Sequence, residues 1–368
     1  MEQIPVHIGV LWPSEQQARD CPKGDVALAH CRSCGFISNV AFDPGRVDYH
    51  LKYDNALHFS PVFQEYERSL ASRLIDRYNI RKRSVLEIGC GSGHFLGLLC
   101  EMGDNQGLGF DPSHDPERVD PRAKGKVEFF RETYSGQESG HNADLICCRH
   151  VLEHIEQPAE FVRMIRRSLA DSPETVLYFE VPNARLILEK LSIWDIMYEH
   201  CDYFTLESLG RLFASCGFEI LDLHEAYEGQ FVSIELSPAQ SVPPELGRFG
   251  GDLQGLTAHV EEFPQRFSDT KNEWRARLQD LEAAGDCAVV WGAGGKTVGF
   301  LNMLQLGDQI AHVVDVNPGK QGTYLAGGGQ AIVAPEALRE IQPDTVIILN
   351  PIYESEIVES LKEMGLRP

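Results

Sequence analysis

The run Glu87-Ile88-Gly89-Cys90-Gly91-Ser92-Gly93 is the stretch of this sequence best suited to hold a ligand. It follows a strand-like SVLEI and opens a helix-like HFLGLL, the setting in which glycines let a backbone turn sharply and approach a ligand closely. An acidic residue, Asp111, ends the next strand-like piece, GLGFD, where a carboxylate can bind both hydroxyls of a ribose. Glu87 separates this loop from the usual dinucleotide fingerprint, which has an apolar residue there and keeps a GxGxxG rhythm for a pyrophosphate. The ligand need not carry a phosphate. A second glycine run, Gly292, Gly294 and Gly295 with Lys296, can cradle a phosphate through backbone N–H groups and a point charge. Asp315 imitates the acid of a dinucleotide site, but the third glycine is missing, so NAD binding and an oxidoreductase activity are only a minor reading.

Metal-type spacings are sparse. Cys31-Arg32-Ser33-Cys34-Gly35 lets two sulfurs reach one tetrahedral zinc from a tight knuckle, which is half of a four-ligand structural site. Cys21, His7 and His30 are the available partners, and the bland alternative is two thiols in a turn. His150 and His154 lie four apart with Glu153 between them, yet the HExxH order is absent and no metal is expected there.

The elements that must position these residues follow from periodicity. Short β-prone pieces broken by Pro and Gly (VHIGVLW, DVALAHC, GFISNVAF) predict a small N-terminal β module over residues 1–58. From 59 to 236, a helix with Phe63, Tyr66, Leu70 and Leu74 on one face leads into alternating strands and helices. That alternation predicts a parallel sheet covered on both faces. Residues 237–284 read as a helical connector interrupted at Pro264, and 285–368 as a second, Rossmann-like α/β unit beginning CAVVWGAGGK.

Composition narrows the function classes. With 43% apolar and 24% charged residues the chain has a globular makeup, and 368 residues predict more than one domain. A net charge of −22 repels phosphate backbones and anionic lipid, which argues against nucleic-acid and membrane partners. No apolar run has the length of a membrane span and the first residues lack a signal-peptide pattern, so a cytoplasmic location and a small-molecule partner are expected.

VLEIGCGSGHFL, followed by GFDPS and then ADLICCRHVLEHI, resembles the S-adenosylmethionine-binding core of class I methyltransferases. The CxxCG knuckle, FDPGRVDYHLKYDNALHFSPVFQEY, YEHCDYFTLESLGRLFASCGF and the C-terminal VVWGAGGKTVGFLNM extend the resemblance to three-domain C-methyltransferases that act on nucleotide-linked 4-keto deoxysugars. The resemblance implies an S-adenosylmethionine pocket made by Glu87, Gly89, Cys90, Gly91, Gly93, His94, Asp111 and Pro112, flanked by Cys148, Arg149 and His150. It implies a proton-abstracting base at His200, supported by Glu199 with Tyr198 beside it, although Met197 stands where the family usually has Tyr. Tyr53, His58 and Ser60 are expected as a lid, with Asn183 and Lys296 on the substrate and the second α/β unit holding its nucleotide carrier. The family's zinc module has two CxxC pairs, of which only Cys31 and Cys34 are present. An O- or N-methyltransferase on the same scaffold is the competing expectation.

Overall fold

The computed structural model describes residues 1, 3–48, 53–54, 56–136, 143–170, 172–240 and 252–368. The N-terminal part carries β1 (Ile4–Pro5), α1 (Glu15–Arg19), β2 (Lys23–Gly24), β3 (Leu28–His30) and β4 (Ile37–Asn39). Then follow α2 (Pro61–Tyr78), β5 (Ser84–Ile88), α3 (His94–Gly103), β6 (Gln106–Phe110), β7 (Val127–Phe130), β8 (Leu145–Arg149), α4 (Pro158–Ser168), β9 (Val176–Pro182) and α5 (Ala184–Lys190). After these come β10 (Asp202–Tyr203), α6 (Leu206–Ser215), β11 (Phe218–Ala226) and β12 (Phe231–Pro238).

These strands make a sheet in the order β11-β12-β9-β8-β5-β6-β7, parallel except for β11 and β12. The chain starts this sheet in the middle, at β5, and grows outward on both sides. A crevice therefore opens beyond the C-terminal ends of β5 and β8, where open α/β sheets bind ligands. Both sheet faces are covered by apolar clusters, one containing Leu86, Phe110, Phe179 and Phe213, the other Leu74, Leu96, Leu99 and Tyr178. This is why the strands read as nearly continuous apolar runs.

The long α7 (Leu253–Ala284) leads to the second unit: β13 (Ala288–Trp291), α8 (Gly295–Leu304), β14 (His312–Val314), β15 (Ala331–Val333), α9 (Leu338–Ile341), β16 (Thr345–Ile348) and α10 (Glu354–Glu363). Its four strands are all parallel, in the order β15-β14-β13-β16. Among the described residues, no helix is long and apolar enough to cross a membrane.

Three expectations change. Pro264 lies inside α7 without ending it. Proline removes one helical hydrogen bond, and here the apolar stripe of Val260, Phe263, Phe267, Trp274 and Leu281 packs on the core and holds the helix through that loss. The core strand β12 continues to Pro238, past the expected end at 236. The N-terminal β module is also not self-contained. β10, which follows His200 in the chain, pairs antiparallel with β4, in the sheet β10-β4-β3.

Candidate active site

The β5–α3 turn is built by glycines. Gly89 has φ +76°, and a Cβ there would lie 2.2 Å from Val151 Cγ2; Gly91 has φ +54°, and a Cβ there would meet nothing within 4 Å. The first glycine packs against protein and the second leaves open space for a ligand. Asp111 closes the loop from β6: its Oδ2 accepts from the Gly91 N–H at 2.8 Å, and its Oδ1 from the Ser113 N–H and hydroxyl at 2.7 and 2.6 Å. His114 Nδ1 lies 2.8 Å from the Gly91 carbonyl oxygen, steadying the same turn.

A cavity of about 1320 Å³ begins at this turn and runs between the large sheet, the N-terminal part and the second α/β unit. Glu87, Gly89, Cys90, Gly91, His94, Asp111, Pro112, Arg149 and His150 line it. Gly93 and Cys148 do not. Gly93, at φ +77°, caps the N-terminus of α3, and Cys148 is packed in the sheet core.

Glu87 is buried, and its Oε2 has no hydrogen-bond partner. Burial pushes its carboxyl up to about 8. The acid is thus neutral in the folded chain at pH values where the unfolded chain ionises it, so its contribution to stability is lost as pH rises through about 8. Glu87→Gln, which keeps the shape without the titration, is expected to flatten that part of the decline; thermal unfolding of both proteins at several pH values between 6 and 9 checks it.

Arg149 lies deeper, over the Phe95 ring at 4.2 Å, with Nη1 on Glu67 at 2.9 Å and Nε on Glu180 at 3.0 Å. Glu180 also accepts from Tyr66, Tyr178 and Ser233 hydroxyls. His150, at φ +54°, sits between Glu153 and Glu180; burial disfavours its charge, but bonds to both carboxylates outweigh this and hold it at about 9. Nothing in the sequence pattern flags Glu67 beyond its place on the buried face of α2. Glu180 leaves a trace: an acid within the apolar strand TVLYFEVP.

The segment Met197–His200 enters from the side of the N-terminal part. His200 lines the cavity and its ring meets that of His154 edge-on at 4.9 Å. Burial, with His154 adding to it, pushes His200 down to about 4. Two expected neighbours face elsewhere. Glu199 is fully buried, accepts from the Ile8 N–H at 3.1 Å and the Tyr53 hydroxyl at 2.9 Å, and lies 3.2 Å from His7 Nδ1. Tyr198 packs on Phe42, and its hydroxyl accepts from the Asp43 N–H at 3.0 Å. Neither lines the cavity, so the carboxylate that neighbours the His200 ring is Glu153, not Glu199. The sequence places 199 next to 200 but does not say which way each side chain points.

Tyr53, His58, Ser60, Asn183 and Lys296 all line the cavity. His58 stacks on His94 at 3.9 Å, and Ser60 donates to Glu356 of α10 at 2.8 Å, tying the start of α2 to the second unit. Asn183 caps α5 and donates to Glu225 and to the Gly229 carbonyl. Lys296 pairs with Asp195. Asp315 is occupied like Asp111, accepting from the Ala293 and Asn317 N–H groups at 2.7 and 2.8 Å.

Cys31 is exposed with its Sγ 3.1 Å from Ser33 Oγ, and the Ser33 and Cys34 contacts lower its thiol to about 7. Among the described residues, no third Cys, His or carboxylate gathers with Cys31 and Cys34. Among the described residues, the knuckle supplies two of the four donors that a tetrahedral zinc site needs.

The cofactor expectation meets a fitting pocket. Glu87 offers an unpartnered buried oxygen, Gly91 an open face, and Asp111 a fixed carboxylate, which match an ammonium group and a ribose diol. Asp111→Ala is expected to weaken S-adenosylmethionine binding by about 1.5 to 3 kcal/mol, tenfold or more. Titration calorimetry showing wild-type affinity would remove Asp111 from the pocket.

Residues 62–223 match the model of a methyltransferase domain, and residues 253–367 that of the C-methyltransferase C-terminal domain. The chain is 26% identical over 348 residues to the C-methyltransferase NovU of Streptomyces niveus, covering 90% of this chain and 82% of that protein. A mitochondrial ubiquinone biosynthesis O-methyltransferase of Schizosaccharomyces pombe is 25% identical over 116 residues, 30% of this chain and 38% of that protein. Among solved structures, the magnesium protoporphyrin IX methyltransferase ChlM of Synechocystis PCC 6803 aligns with 48% of this chain and 84% of its own, at 18% identity and a TM-score of 0.38. The two matched domains, and the C-methyltransferase relative aligned along most of the chain, identify this protein as a class I S-adenosylmethionine-dependent C-methyltransferase.

Proposed function

We propose that the methyl acceptor is a nucleotide-linked keto deoxysugar, methylated at the carbon beside its ketone. One observation carries this reading: a single cavity joins the cofactor loop, His200 and the second glycine loop at Gly292–Lys296. At the far end, Asn317 is buried with an Nδ2 that lacks a hydrogen-bond partner, and the N-terminus of α8 with Lys296 offers further donors. Those groups suit the phosphates of a carrier. Tyr53, Leu186, Ile187 and Met197 give the lining apolar surface that suits a deoxygenated sugar ring.

S-adenosylmethionine supplies an electrophilic methyl group on its sulfonium. The chain's own task is to make a nucleophilic carbon. His200 takes the proton from the carbon next to the ketone, leaving an enolate; that carbon bonds to the methyl as the carbon–sulfur bond breaks, and His200 later gives its proton to solvent. Tyr53, fixed through its hydroxyl on Glu199, forms part of the wall on this side.

The test is solvent exchange. A nucleotide-linked 4-keto deoxysugar incubated with the protein in deuterium oxide, without S-adenosylmethionine, is expected to take up deuterium at the carbon beside the ketone. With S-adenosylmethionine, it should gain a methyl group there. Absence of exchange together with a methylated oxygen or nitrogen in the product would overturn carbon methylation of this acceptor class.

A further inference from the structure

Three side chains that methyl transfer does not jointly require come together at the wall of the cavity. One ligand atom from each of Glu153, His154 and His200 lies within 4.8 Å of the other two. All three residues line the cavity. Two imidazoles and one carboxylate, with an open side, are the donor set taken by zinc and its first-row neighbours in three-ligand sites. Ligands about 2.1 Å from a tetrahedral centre are about 3.4 Å apart, so side-chain rotations moving atoms by about 1 Å close the set.

Two details point to a cation. Glu153 is 2% exposed, and its Oε2 has no hydrogen-bond partner. Oε1 of the same carboxylate lies 3.6 Å from His150 Nδ1, which leaves Oε2 as the buried oxygen without a hydrogen-bond donor. His154 Nδ1 lies 3.1 Å from the Glu199 carbonyl oxygen. A carbonyl can only accept, so Nδ1 is the donor in this contact, and the ring is oriented by it. Metal-binding histidines are commonly oriented by this kind of outer bond. The spacing of His150 and His154 makes no metal motif; the fold pairs His154 with His200 instead.

We propose that Glu153, His154 and His200 bind one borderline divalent cation, Zn2+ being the best match, and that its occupancy stops methyl transfer. The second half rests on His200 being the proton-abstracting base. The cation takes up the imidazole and fills the side of the cavity from which the acceptor must approach. It forms no part of the reaction itself.

Co2+ is a suitable probe, in the full chain carrying Cys31→Ser and Cys34→Ser so that the thiols do not compete. One Co2+ per chain is expected, with ligand-field bands of a nitrogen and oxygen donor set in the visible spectrum. Glu153→Gln, His154→Asn and His200→Asn should each weaken binding at least tenfold, with retained S-adenosylmethionine affinity showing that the variant is folded. In the parent protein, stoichiometric Zn2+ should abolish turnover and a chelator should restore it. No stoichiometric Co2+ binding, or binding unchanged in all three variants, overturns the site. Zn2+ that binds there while turnover stays at its metal-free rate overturns the inhibition. A metal-free protein that neither exchanges nor methylates the sugar nucleotide refutes the proposed reaction instead, and Co2+ binding still reads the site by itself.

Discussion

His200→Asn is expected to bind S-adenosylmethionine with near wild-type affinity while turnover falls by about 10² to 10⁴. His200 lines the cavity but belongs to the segment after α5, a different element from the β5–α3 turn and Asp111 proposed to receive the cofactor. Removing the imidazole should leave that end untouched and take away only the group that accepts the acceptor's proton. Solvent exchange and methylation should fall together, since both need the same enolate. Calorimetry and product formation in parallel check the split; a variant that methylates at close to the wild-type rate would end the case for His200 as the base.

The second large effect concerns stability. Arg149 is 8% exposed and neutralises Glu67 and Glu180 from inside the sheet. Arg149→Met keeps much of the side-chain volume but removes the guanidinium that two buried carboxylates share, leaving Glu67 with His94 and Glu180 with His150. Removing one partner of a buried ion pair costs about 3 to 5 kcal/mol, far more than the pair adds over an apolar replacement. Denaturant unfolding should show a loss of that size, and adding Glu67→Gln should recover part of it. A loss below about 1 kcal/mol would mean that water or protonation already relieves these acids.

What the sequence made legible were features written in consecutive residues. The strand-turn-helix around Gly89 to Gly93, the acid at the end of β6 and the alternation of strands with helices all depend on local periodicity. Gly91 and Asp111 meet at 2.8 Å. What depends on long-range packing was hidden. The sequence could not show that Glu199 turns toward His7, Ile8 and Tyr53, that Arg149 joins α2 to β9, or that His154 stands against His200. The knuckle at Cys31 shows the same division: two ligands at the right spacing are local, whereas any other two have to be delivered by the fold.

The pairing of β10 with β4, and the grip of Ile8 and Tyr53 on Glu199, have a practical consequence for anyone recombining this enzyme with its relatives. The first fifty or so residues are not an interchangeable attachment upstream of a catalytic unit. They form the mould in which the loop bearing His200 sets. A chimera that exchanges the front of the chain alone would leave the Glu199 carboxylate buried among foreign donors, and cofactor binding would survive while acceptor chemistry did not. Selectivity for the acceptor would therefore be inherited as a linked pair of segments, the opening strands and the stretch from Met197 to Tyr203, which have to be moved together.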